Sequence, residues 1–335
     1  MADNIIILPG SYLRGKFGRR YQIERQVNIL NSTPDYSPTT VSPRLPRPRP
    51  VVYKAKNKSG SKHFAIKLVA EQDRQHLANE ILALKRAWFV PSVPTIIENL
   101  TNDSKYNVWF FAYQWFDDRD WVPLNRIITQ QPLSRFTEEK AYMYMVQLQN
   151  ALKAHLWILH TLGLYHGDLK SEHILVRKNS AKKQDQLLDI DFGSLDFRKI
   201  RIIDFGFAYL RPHVFSKVRR IFPNRWQGGS VGYSNPYFWH KEHTHSIDLR
   251  SLPAIDHYGM NAILYYAFSG ECFPMASPAY RSLSQPGSGG KVAAFCKSYN
   301  ESIGKRVHDL HQGGHHKLGK LMKRIIMNLC APDNF

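Results

Sequence analysis

The stretch Leu164-Tyr165-His166-Gly167-Asp168-Leu169-Lys170-Ser171-Glu172-His173-Ile174-Leu175-Val176 sets the reading of the whole chain. Its apolar end reads as a buried strand, and the loop before it carries Asp168, Lys170 and His173 at fixed offsets. A carboxylate in such a loop can orient a hydroxyl nucleophile. A lysine two residues on can neutralise a phosphoryl group in transit. Downstream, Ile200-Arg201-Ile202-Ile203-Asp204-Phe205-Gly206 reads as a second strand ending in a carboxylate and a glycine. A carboxylate at a strand end suits Mg²⁺, which takes one or two such groups and fills its other positions with phosphate and water oxygens.

Upstream of the loop, Thr137 opens a long helix with Glu138 and Glu139 in its first turn, where negative charge meets the positive end of the helix dipole. Its apolar stripe runs Tyr142, Met145, Leu148, Leu152, Leu156, Leu159 and stops at Gly163. The first third of the chain reads as short strands at 21–27, 51–56 and 63–69, with Asn57-Lys58-Ser59-Gly60 as a turn between the last two. A helix is expected over 72–88, with Leu77, Ile81, Leu84 and Trp88 on one stripe, and further strands at 95–97 and 107–115. Together these make a unit of five strands and one helix. Helices at 255–269 and, basic and amphipathic, at 317–330 complete a mostly helical second part. The division falls at the acidic run 116–120, giving a first unit of 1–117 and a second of 118–335. Between the first two strands lies an insertion, 31–50, ending Pro43-Arg44-Leu45-Pro46-Arg47-Pro48-Arg49-Pro50. Alternating prolines exclude helix and central strand, so an extended, solvated arm is expected.

With these strings in order, the chain resembles the eukaryotic-type protein kinase family. His166-Gly167-Asp168-Leu169-Lys170 with His173 resembles the catalytic loop H-R-D-L-K-x-x-N. Asp204-Phe205-Gly206 resembles D-F-G, and Ala65-Ile66-Lys67 resembles the strand-lysine motif. Glu80 resembles the helix glutamate that pairs with that lysine. Gly229-Ser230-Val231-Gly232-Tyr233-Ser234-Asn235-Pro236 is similar to the segment closing the activation loop, and Ile255-Asp256-His257-Tyr258-Gly259 to the start of a buried helix whose Asp braces the catalytic loop. The resemblance implies an α+β, two-lobed fold with a small five-stranded antiparallel sheet and helix over a helical lobe. It implies ATP with Mg²⁺ or Mn²⁺, Asp168 and Lys170 as catalytic residues, Lys67 with Glu80 at the phosphates, and Asp204 with His173 toward metal. Lys170, two residues after Asp168, resembles the serine/threonine class.

The chain also departs from the pattern. No glycine-rich loop precedes the lysine strand, where Val27 to Pro50 stands instead. His173 replaces the metal-binding Asn; a neutral imidazole is expected to hydrogen-bond the Asp168 carboxylate. Gly167 replaces the arginine that binds an activation-loop phosphate, and Tyr237 replaces an acidic residue after Pro236. A second Asp-Phe-Gly occurs at Asp191-Phe192-Gly193. Its acidic, less strand-like flanks favour Asp204 as the metal-binding copy and make 177–199 an enlarged, exposed hairpin.

Hydrophobic residues at 43% and charged residues at 22% are a folded composition, not a disordered one. Cys272, Cys296 and Cys330 match neither a disulfide framework nor a zinc signature. His240, His243, His245, His315 and His316 read as solvated surface histidines rather than ligands. The four apolar residues before Pro9 are too few for a signal-peptide core, and no run is long enough for a membrane helix, so a cytoplasmic protein is expected. The net charge of +19 attracts anions. With basic residues dispersed and no recognition module in view, an acidic protein substrate or partner is expected ahead of nucleic acid, with the arm 43–50 as a docking strip. Two other functions stay open: a kinase-shaped binding scaffold without activity, and a small-molecule or sugar kinase, suggested by His-Gly-Asp and His173.

Overall fold

The computed structural model describes residues 7–27, 51–69, 74–179, 192–211, 230, 233, 252–271 and 316–330. The first part is a sheet of six antiparallel strands: β1 (Tyr12–Arg14), β2 (Arg20–Val27), β3 (Val51–Asn57), β4 (His63–Val69), β5 (Ile96–Asp103) and β6 (Val108–Gln114). Their spatial order is β1-β2-β3-β4-β6-β5. Five of these are the strands expected from the sequence. The sixth, β1, is a three-residue return that pairs Tyr12 with Gln22 and Arg14 with Arg20, too short to carry an alternation of its own.

The sheet curls until its two edges meet. Arg14 N donates to Asp103 Oδ2 at 2.7 Å, Arg19 Nη1 to the Ile97 carbonyl at 2.8 Å, and Tyr21 OH to the buried Glu98 Oε2 at 3.0 Å. Gly15 allows this closure, because a Cβ there would stand 2.7 Å from Glu98 Oε2. Helix α1 (Arg74–Arg86) covers one face of the sheet, burying Leu77, Ile81 and Leu84. β2 and β3 are adjacent, with Val27 opposite Val52, so the insertion connects two neighbouring strands. The insertion itself, with Arg44, Arg47 and Arg49, lies outside the described residues.

The second part is helical. After β7 (Trp121–Pro123) come α2 (Leu124–Gln130) and α3 (Glu138–Thr161). The buried face of α3 is Ala141, Met145, Leu148, Leu152, Leu156 and Leu159, at alternating spacings of three and four. Ala141 takes the place expected for Tyr142, which is only partly buried. Then follow β8 (Leu164–Tyr165), β9 (Ile174–Lys178), β10 (Leu195–Ile202), β11 (Tyr209–Leu210), α4 (Leu252–Ser269) and α5 (His316–Cys330). Helix α4 is buried almost all round, with Tyr258, Gly259, Met260, Ala262, Ile263 and Leu264 inside. That makes it the centre of this lobe.

The segment 177–199, read as an exposed hairpin, is anchored at its described ends, 177–179 and 192–199. β10 begins at Leu195, not near Ile200, and pairs with β9 through Leu195 opposite Lys178 and Ile202 opposite Ile174. Phe192 is fully buried among Phe136, Tyr144 and Phe197. The physical reason is the aromatic pocket: three rings supply apolar area that polar flanks do not reveal in the sequence. Asp191 lies outside the described residues. No helix among the described residues is long and apolar enough to cross a membrane.

Candidate active site

Lys67 sits in β4 opposite Phe111 of β6, with its ammonium turned into the cleft between the two lobes. Nζ lies 2.7 Å from Glu80 Oε2 on α1 and 2.7 Å from Asp204 Oδ1 beyond β10. Asp204 is 137 residues further along the chain than Lys67. Burial alone would lower the Lys67 pKa, but Asp204 and Glu80 together outweigh it and raise it. Burial favours protonation of Asp204, yet the Lys67 ammonium holds its pKa far below the carboxylate range. Glu80 is pushed up to about 7 by burial, with Asp204 adding and Lys67 opposing. Gly206 leaves room for the triad: a Cβ there would come within 3.2 Å of Asp204 Oδ1 and 3.6 Å of Lys67 Nζ.

Asp204 adopts φ +63°, in the left-handed region, which Asp enters more readily than most residues. The turn is locked on both sides. Ile203 N donates to the His173 carbonyl at 2.9 Å, and the buried Phe205 ring packs on the His166 ring, centroids 4.9 Å apart.

The loop that carries Asp168 hangs from α4. Asp256 lies in the fifth position of that helix and is fully buried. Its Oδ2 accepts from His166 N and its Oδ1 from Gly167 N, both at 2.9 Å, while His160 Nε2 lies 2.8 Å from Oδ2. Burial would raise the Asp256 pKa; hydrogen bonding from His160 and the His166 backbone more than reverses it. Gly167 stands at φ +76°, and a Cβ would meet the Phe207 carbonyl at 2.3 Å. The position requires glycine.

Asp168 is buried, which raises its pKa against the opposing influence of Lys170. Its Oδ1 accepts from Ser230 N at 2.5 Å and its Oδ2 from Ser230 Oγ at 3.2 Å. Lys170 Nζ donates to the same Ser230 Oγ at 2.9 Å and stands 3.8 Å from Asp168 Oδ2. One hydroxyl oxygen is thus shared by carboxylate and ammonium.

His173 does not reach the Asp168 carboxylate as expected. The single helical turn Ser171–His173 folds its ring under the backbone, so Nδ1 lies 2.9 Å from the Asp168 carbonyl oxygen. Nε2 points the other way, 3.4 Å from Asp204 Oδ2. Burial and then the Lys170 charge push the ring well below its ordinary 6.5, so it is neutral at pH 7.

The six residues singled out in the sequence, Lys67, Glu80, Asp168, Lys170, His173 and Asp204, therefore meet in one cleft. Three participants were not legible. Ser230 lay in a quoted string without a role, and His160 sat one turn above the loop. Tyr113, opposite Ala65 on β6, is raised in pKa by burial and lies within the field of Lys67, Glu80 and Asp204. Strand register alone places it there. Among the closing-segment residues only Ser230 and Tyr233 are described; Gly229, Val231, Gly232, Ser234 to Pro236 and Tyr237 lie outside, as do His240, His243, His245, His315, Cys272 and Cys296.

The family model of the protein kinase domain matches residues 50–272. The chain belongs to the protein kinase family. Among solved structures, this kinase is similar to the kinase domain of PF14_0431, at 16% identity and a TM-score of 0.50, over 80% of this chain and 68% of that one. The BubR1 kinase domain matches at 16% identity and a TM-score of 0.43, over 79% and 66%. At 16% identity the likeness to PF14_0431 is one of fold. No curated protein matches the chain. The matched span begins at β3 and runs through α4, so it encloses all six cleft residues.

Proposed function

We propose that this kinase moves the γ-phosphoryl group of ATP onto a serine or threonine hydroxyl of a protein substrate. The observation that carries the reading is the meeting of Asp168 and Lys170 on one hydroxyl oxygen, that of Ser230, at 3.2 and 2.9 Å. A substrate hydroxyl held in the same way has a base for its proton and a cation for the incoming phosphoryl charge. As the hydroxyl oxygen forms its bond to phosphorus, its proton passes to Asp168. The bond from the γ-phosphorus to the bridging oxygen breaks, and ADP leaves. Lys170 offsets the charge that spreads over the transferring group. Lys67, fixed by Glu80, is the anchor for the remaining phosphates.

Asp204 and His173 present a carboxylate oxygen and a ring nitrogen side by side, a donor set that fits a divalent cation completed by phosphate and water. When bound, that cation neutralises phosphate charge. The acidic substrate and the docking arm at 43–50 belong to the same proposal, supported by the +19 charge, as do the division into lobes at 117/118 and the cytoplasmic setting.

The test is incubation of the full chain with γ-labelled ATP, Mg²⁺ or Mn²⁺ and acidic protein substrates, followed by identification of the labelled residue. Label on serine or threonine in wild type, absent in a folded Asp168→Ala variant, is expected. Nucleotide binding without transfer to any acceptor would make the protein a scaffold. Label confined to sugars or small molecules would replace the protein substrate.

A further inference from the structure

His173 faces two ways, and each side fixes the other. A carbonyl oxygen only accepts, so the 2.9 Å contact with the Asp168 carbonyl places the ring hydrogen on Nδ1. Nε2 is then the nitrogen left to face Asp204 Oδ2 at 3.4 Å. Charge-assisted N–H···O bonds close to about 2.7–2.9 Å, so this pair is too far apart to be drawn together by a shared proton. A ring nitrogen with a free lone pair and a carboxylate oxygen thus stand 3.4 Å apart with no hydrogen joining them, His173 buried and the Asp204 side chain 25% exposed.

The separation matches neighbouring ligands of one cation. Two cis ligands of an octahedral ion, each about 2.1 Å from it, stand about 3.0 Å apart, a few tenths of an ångström inside the observed gap. On the far side of Asp204, Oδ1 is engaged by Lys67 at 2.7 Å and by Gly206 N at 3.3 Å, which leaves Oδ2 as the oxygen turned to the ring. We infer that His173 Nε2 is a metal ligand beside Asp204 Oδ2, making a nitrogen–oxygen site that takes Mn²⁺ and related first-row ions in preference to Mg²⁺. Imidazole is a favourable donor to first-row transition ions, whereas Mg²⁺ prefers an all-oxygen shell and gives up water reluctantly. The inference rests on the proposed phosphoryl-transfer site and names the cation class that the site selects.

The test reads the metal directly. Full-length protein labelled with ¹⁵N-histidine is loaded with Mn²⁺ and ADP and measured by pulsed electron paramagnetic resonance. Wild type is expected to give a ¹⁵N coupling typical of a directly bound ring nitrogen, together with ³¹P coupling from the nucleotide. His173→Asn, checked for folding by thermal melting, is expected to lose the ¹⁵N coupling and keep the ³¹P coupling. In competition titrations its preference for Mn²⁺ over Mg²⁺ should fall about tenfold, roughly 1.4 kcal/mol. Protein-bound Mn²⁺ with ³¹P but no ¹⁵N coupling in wild type would overturn the inference and leave the phosphoryl-transfer reading standing. Wild type that binds ADP with Mg²⁺ but not with Mn²⁺ would also overturn the inference alone, whereas failure to bind ADP with either ion would take both readings down.

Discussion

Glu80 shows how a single buried carboxylate couples the cleft to pH. Burial brings it to about 7 from an ordinary 4.5, so between those values the folded protein keeps a proton that the unfolded chain has released. A raised folded pKa contributes stability that is complete below about 4.5 and lost as pH rises through about 7. Denaturant titrations should therefore show wild type losing stability across that window relative to Glu80→Gln, which has the same shape and no charge to titrate. Parallel pH curves for the two proteins would contradict the assignment. The loss of the Glu80 proton is also what completes its ion pair with Lys67. Lys67, Glu80 and Asp204 were legible because each sits in a short string with a fixed chemical neighbour. The roles of Ser230 and Tyr113 were not, because they arise from contacts across 62 residues and across a strand register, which no local pattern encodes.

At the scale of elements, the bond between α4 and the catalytic loop matters most. Asp256 satisfies the His166 and Gly167 amides in a fully buried setting, and each orphaned amide costs about 1–3 kcal/mol. Asp256→Ala should lower the melting temperature and phosphoryl transfer together, while Asp256→Asn, which keeps one oxygen acceptor, should lose less of both. An Asp256→Ala protein with unchanged melting and turnover would sink the bracing role. Gly259 lets the helix approach the loop, since a Cβ there would stand 2.7 Å from the Leu169 carbonyl. Helices and core strands were legible from their periodicity; α3 came within two residues of its expected ends. The hairpin before Asp204 was not. Its polar flanks suggested exposure, and the buried Phe192 that pins it is explained only by rings from α3 and the turn before it.

For the molecule as a whole, the +19 charge attracts anionic partners, and the connection between β2 and β3 is the segment proposed to dock them. If Arg44, Arg47 and Arg49 form an outward docking strip, replacing all three by Ala leaves ATP affinity within about twofold and weakens binding to an acidic substrate, with the difference fading as salt screens it. A tenfold loss of ATP affinity, roughly 1.4 kcal/mol, would make the arm a phosphate clamp instead. Whole-molecule architecture followed from the order of the strings rather than from any one of them, and the added β1 escaped because three residues carry no period.

The claim on which everything else depends is that Asp204, bonded to Lys67 and beside His173, belongs to the phosphoryl-transfer centre, and that Asp191 does not. Labelled-ATP turnover of Asp204→Ala and Asp191→Ala, each checked for an intact melting transition, separates the two. The expected result is loss of transfer by at least about a thousandfold, roughly 4 kcal/mol of transition-state stabilisation, in Asp204→Ala, and near-wild-type turnover in Asp191→Ala. Retained turnover in Asp204→Ala with loss in Asp191→Ala would contradict the account.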